Sequence, residues 1–144
     1  MLILNPVNQY SSAFPMLECV HIAGIICGVG TAALINFRLL GVALKQSSAE
    51  RLWSDAMPWT LGGLALAIFS GLLLFSSDPE MYYVNSAFRI KMGILLLAIV
   101  FYFTVVRKAV APDRGGGARS IIACVSLGMW ALVPACGIFI GFMN

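Results

Sequence analysis

The stretch Met16–Gly41, MLECVHIAGIICGVGTAALINFRLLG, limits what this chain can become more than any other. It stays apolar for the length of a bilayer crossing, because a hydrocarbon core of about 30 Å takes roughly 20 residues in helical form. In lipid the backbone must satisfy its own polar groups, so the run is expected to be a transmembrane helix that ends where Arg38 returns to water. Within it stand Glu18 and, one turn later, His21, the only histidine of the chain. Ionisable groups at membrane depth are costly and face a bundle interior or a cavity, which makes His21 the first candidate for function.

The rest of the chain continues the theme. Of its 144 residues 60% are hydrophobic and 10% charged, and a mean hydropathy of +0.93 is too oily for a water-soluble domain of this size. Apolar stretches of spanning length occur at about 17–39, 58–75, 88–106 and 120–142. The expected fold is all-α, an integral membrane four-helix bundle forming a single domain over 1–144, with consecutive helices antiparallel because the joins are short. The joins leave no room for a soluble catalytic domain, and no catalytic residue is assigned.

The formal charge of +3 is a matter of topology. Arg38, Lys45, Arg51, Arg107, Lys108, Arg114 and Arg119 flank the first and third loops, while only Arg89 and Lys91 flank the second. The positive-inside rule then places the first and third loops in the cytoplasm, and both termini on the other side, the periplasm for a bacterial inner membrane. Nucleic acid is excluded as a partner. The expected partners are the lipid bilayer and other membrane subunits, either copies of this chain in a homo-oligomer or the members of a larger complex. Cys19, Cys27, Cys124 and Cys136 fall inside the spans without metal-binding spacing, and are read as small apolar packing residues. The opening MLILNPVNQYSSAFP lacks the basic start of a signal peptide and is expected to lie along the outer surface.

On a helical wheel Gly28 falls almost directly below His21, and Gly24 borders the same face. A histidine above a smooth glycine strip can take a planar cofactor, but GxxxG pairs are common in membrane helices and more often pack on a neighbouring helix, which would leave His21 as a polar anchor. Glu18 is expected to pair with Arg89 or Lys91 at the outer rim, and with a haem present those cations would meet its propionates instead. After the first loop, Leu52 and Trp53 are expected at the membrane surface, with Asp55 capping a helix that carries Pro58 in its first turn. The third span reads as a lipid-facing wall with Tyr102 as its polar handle. Asn85 is a candidate N-cap, Pro134 a candidate kink, and Gly137 with Gly141 a second GxxxG pair. The run Gly115, Gly116, Gly117 lacks the lysine and hydroxyl of a phosphate-binding loop.

Hydrolysis is poorly supported, since His21 has only Glu18 near it in sequence, and a proton relay lacks acidic groups in the later spans. Copper(I) is one alternative, through Met16, Cys19 and His21, or through Met81, Met92 and Met143. The wheel places Met16 and Cys19 well away from His21, which weakens the first set. Haem b asks for a membrane histidine, a close-approach glycine and cations for its propionates, which His21, Gly24, Gly28, Arg89 and Lys91 offer, with Glu18 at the rim. One histidine per chain requires the second axial ligand to come from a symmetric partner, a methionine or another subunit. The leading expectation is a small electron-transfer subunit with His21 as haem ligand. The alternative is a non-catalytic accessory or assembly subunit.

The segment PWTLGGLALAIFSGLLLFSSDPEMYYVNSAFRIKMGILLLA, with the His21 region and the FRLLG that closes the first span, resembles a family of small four-helix bacterial inner-membrane proteins of unassigned function. More distantly, a histidine early in the first helix followed by small residues resembles membrane domains of CopD-type copper-resistance proteins and small haem-linked membrane proteins. That resemblance implies redox or metal chemistry in the outer half of the bundle, and of the residues here only His21 carries over.

Overall fold

The computed structural model describes residues 12–112 and 115–142. Six α-helical segments occur among them: α1 (Ala13–Leu39), α2 (Ala49–Ser77), a short α3 (Pro79–Val84), α4 (Ser86–Phe101), α5 (Arg107–Val110) and α6 (Gly116–Phe142). A π-helical turn, Tyr102–Val106, joins α4 to α5. Four spans are long and apolar enough to cross a membrane, α4 to α5 counting as one. Large apolar side chains such as Met16, Ile26, Phe69 and Leu96 point outward, as expected where the surroundings are lipid rather than water.

Local chemistry sets the ends. α1 stops in a Schellman motif: Gly41 takes φ +71°, its N–H donates to the Arg38 carbonyl, and the Val42 N–H donates to Phe37. Arg38 Nε then donates to the Ser47 carbonyl at 2.6 Å, which pins the loop. Ser48 caps α2 by accepting from the Arg51 N–H at 3.2 Å. The helix therefore begins at Ala49, not near Asp55, and runs on through Pro58. Pro58 deprives only the Ser54 carbonyl of its partner, and Ser54 is exposed near the helix start. Asn85 caps α4 as expected, accepting from Ala87 and Phe88 N–H groups at 2.9 and 3.3 Å.

The helices stand in the order α2, α1, α6, α4, each packing on the next. α1 and α2 approach most closely. Methyl groups added at Gly24 and Gly28 would lie 2.7 Å and 2.8 Å from backbone nitrogens of Ala67 and Leu64. Between them a Thr31–Thr60 hydroxyl bond of 2.8 Å ties the two helices near their middle, and Asn36 Nδ2 donates to Ser126 Oγ at 3.0 Å to tie α1 to α6.

α2 and α4 do not pack side by side; they meet through rings at two levels. Trp53 stacks on Tyr102 at 4.9 Å, and Phe75 stacks on Phe88 at 5.5 Å. Tyr102 is thus fully buried and not part of a lipid-facing wall, and Trp53 packs half-buried against it. The run is apolar on every side and marks no inner face, but Tyr102 follows the buried Ala98 by one turn and so faces the bundle. A π turn begins at Tyr102, where the Arg107 N–H reaches five residues back to its carbonyl, and Val106, Ala109 and Val110 beyond are buried too.

Both ends of the molecule are distinct. Arg38, Lys45, Arg51, Arg107, Lys108 and Arg119 gather at one, the basic face. The starts of α1 and α4 and the ends of α2 and α6 share the other, the terminal face. Arg114, Met143 and residues 1–11 lie outside the described residues.

Candidate functional site

His21, eight residues into α1, lies about 12 Å along the helix from its start. Its imidazole turns toward α2, where Ser70 Oγ lies 3.1 Å from Nδ1. The direction of that bond follows from Ser70's own proton, which goes to the Leu66 carbonyl at 2.6 Å. A hydroxyl has one proton, so Ser70 Oγ accepts from His21 Nδ1–H. Neutral His21 then carries its proton on Nδ1 and presents a lone pair at Nε2. Gly71 makes room for the ring: a methyl group there would lie 2.9 Å from Cε1.

The histidine lines a cleft that also receives Lys91 from α4. The two are near enough for their charges to interact. Ile25 and Val29 of α1, Leu64 of α2, Leu95 of α4 and Val133 of α6 form apolar walls around a cavity of about 40 Å³. Because α1 packs on α2 and α6, and α6 on α4, the opening lies between α2 and α4 and faces the bilayer. The Lys91 ammonium rests against α6, where a methyl group at Gly137 would lie 3.2 Å from Nζ.

Of the residues singled out from sequence, His21, Gly24 and Gly28 do share one face. That face is filled by α2 along Gly63, Leu64 and Ala67, so the glycine strip is occupied by helix packing. The glycines that make room for polar heads are Gly71 and Gly137 instead. Each meets its partner only through tertiary packing, so spacing along one helix carries no signal of it.

Glu18 and Arg89 are both exposed, and among the described residues no ion pair joins Glu18 to Arg89 or Lys91. The physical reason is the bundle order: Lys91 turns into the cleft and onto α6, whereas Glu18 looks toward α3. There, outside the spans, Tyr82 packs between Phe75 and Phe88. Burial pushes its phenol above its ordinary value, and the carboxylates of Glu18 and Asp78 add to the shift.

Met16, Cys19 and Met92 are exposed, and among the described residues no group of three His, Cys, Asp or Glu side chains could hold a metal ion. Cys19 and Cys124 point outward while Cys27 and Cys136 are half-buried, all four as free thiols.

A histidine held through one nitrogen beside a lysine, both reached from the bilayer side of a four-span bundle, marks a small polytopic membrane protein with a polar site at membrane depth. A family model of unknown function, DUF6644, matches residues 9–143, and the chain belongs to that family. No curated protein matches it, and neither does any solved structure.

Proposed function

We propose that this protein is a small electron-transfer subunit of a membrane complex, in which His21 supplies one axial ligand to haem b near the periplasmic side. The observation that carries the reading is the His21–Ser70 bond. A ligating histidine commonly donates its other ring N–H to an acceptor that fixes tautomer and ring direction, and Ser70 is placed to do this for Nδ1. Lys91 would meet a propionate from the same cleft. Bound in this way, the haem would carry one electron at a time.

Fit limits where the group can sit. The donor chemistry suits an iron ligand, but a cavity of about 40 Å³ is far below the roughly 300–1,000 Å³ of small-molecule pockets. The macrocycle would not fit within the cleft itself, so a second chain, either another copy or a different subunit, would have to help hold it. The positive-inside rule assigns the basic face to the cytoplasm and His21 to the periplasmic half of a bacterial inner membrane. The distant likeness to CopD-type and haem-linked domains points the same way. Haem and chain determined together on gently extracted protein test the arrangement. One haem for every two chains supports a shared site between copies; haem-free protein from a native membrane refutes it.

A second reading is favoured by the Gly24 and Gly28 packing. The chain is then a non-catalytic accessory subunit, and His21 only ties α1 to α2. On that reading His21→Ala lowers stability but removes no cofactor. Copper(I) at a methionine-lined site on the terminal face, through Met81, Met92 and Met143, stays a lesser alternative.

A further inference from the structure

The cleft holds a second unmet demand, and it belongs to Lys91. Five residues into α4, its backbone lies only about 7.5 Å along the helix from the terminal-face end. Among the described residues no hydrogen bond or ion pair reaches its ammonium, whose electrostatic neighbours are the His21 imidazole and the Cys136 thiol. An ammonium drawn from water into apolar walls needs a counter-group. The chain nevertheless spares room for it, because Gly137 is the residue that lets Nζ lie against α6.

The shape of the cleft narrows what that counter-group can be. Phe75 stacks on Phe88 on the terminal-face side of the cleft, and Trp53 stacks on Tyr102 on its basic-face side. Entry is sideways, from the hydrocarbon between α2 and α4. The head must be small enough for about 40 Å³, must accept from an ammonium, and must trail an apolar body back into the bilayer. A phosphodiester lipid meets these conditions poorly, since its head is bulky, carries two chains and stays at the headgroup level. A carboxylate on a single hydrocarbon chain meets them all.

We propose that the His21–Lys91 cleft binds the carboxylate of a lipophilic acid, with Lys91 Nζ donating to the carboxylate, His21 flanking it, and the chain leaving between α2 and α4. A long-chain fatty acid is the bilayer's own source of this chemistry. A porphyrin propionate is the other. The site goes beyond the electron-transfer reading and does not depend on it.

The test uses haem-free protein in phosphatidylcholine nanodiscs, with palmitate labelled at its carboxyl carbon and followed by carbon NMR. A saturable bound carboxyl signal is expected. Lys91→Met should weaken binding about tenfold or more, the loss typical of a charge-assisted hydrogen bond. Gly137→Ala, which crowds Nζ without removing it, should weaken it less. Methyl palmitate should fail to compete. Protoporphyrin should compete only as the free acid and not as its dimethyl ester, which separates the two carboxylate sources by direct comparison of their affinities. The proposal is overturned if methyl palmitate competes as well as palmitate, if Lys91→Met binds normally, or if phosphatidylglycerol displaces the acid. Because no haem is present, failure here leaves His21 ligation to be judged by its own spectrum.

Discussion

Gly62 and Gly63 are neighbours in α2, yet the structure assigns opposite outcomes to the same substitution. A methyl group at Gly62 meets nothing within 4 Å, whereas one at Gly63 would lie 2.7 Å from Gly28 Cα. Ordinary carbon contacts are about 3.5–4.0 Å, so Gly63→Ala must part α1 from α2 by roughly 1 Å. A gap of that size forfeits about a quarter to a half of each contact of ~0.1–0.2 kcal/mol. Over the few tens of atom pairs at this crossing the loss is about 2 kcal/mol, within the ~1–3 kcal/mol usual for overpacking. Both variants gain about 1 kcal/mol of helix propensity. Gly62→Ala should therefore stabilise the protein, and Gly63→Ala should fall about 2–3 kcal/mol below it. SDS titration of the detergent-solubilised protein, read by tryptophan fluorescence, measures both. Equal stabilities, or a more stable Gly63→Ala, would refute the close α1–α2 approach on which the placement of His21 depends.

Three further outcomes follow from the same geometry. Nitrogen NMR of labelled histidine should find neutral His21 protonated on Nδ1 and bare at Nε2, and Ser70→Ala should let the other tautomer appear; an Nε2–H form in the unaltered protein contradicts the assignment. Tyr102 separates ring from hydroxyl: the buried hydroxyl has only Thr60 near it and no well-formed hydrogen bond, so Tyr102→Phe should cost less than about 1 kcal/mol. Tyr102→Ala should cost about 3–5 kcal/mol, as for other large aromatic truncations, and equal effects in an unfolding titration would refute this. Finally, the Tyr82 phenol lies above its ordinary 10.0. Its contribution to stability is intact below that unfolded value and is lost as pH rises through the folded one, so Tyr82→Phe should flatten the alkaline fall in stability.

Much of the fold is legible along the chain because it is local. The spans follow from apolar length, the Asn85 cap from its side chain, and the shared face of His21, Gly24 and Gly28 from a turn of 100° per residue. What fills that face is not local. The same glycines suit a flat ligand or another helix, and only the position of Gly63 and Ala67 on α2 decides for the helix. The Asp55–Pro58 pair marks a helix start that the structure does not use, because Ser48 caps the helix two turns earlier and a proline whose lost partner is an exposed carbonyl need not end a helix. Tyr102 is hidden for another reason: the run around it is apolar on every side, so no polar face marks which way its ring turns. The Lys91–Gly137 and His21–Gly71 contacts each join residues far apart in sequence, and no spacing rule reaches them.

The central claim is that His21 is a haem ligand, and an optical spectrum tests it most directly. Protein and its His21→Ala variant should be extracted gently from the native membrane, with helicity checked by circular dichroism, and recorded oxidised and dithionite-reduced alongside total iron. The account predicts a Soret band with sharp reduced α and β bands in the unaltered protein, and their loss in a folded His21→Ala. A folded variant that keeps the bands, or an unaltered protein without them, contradicts it.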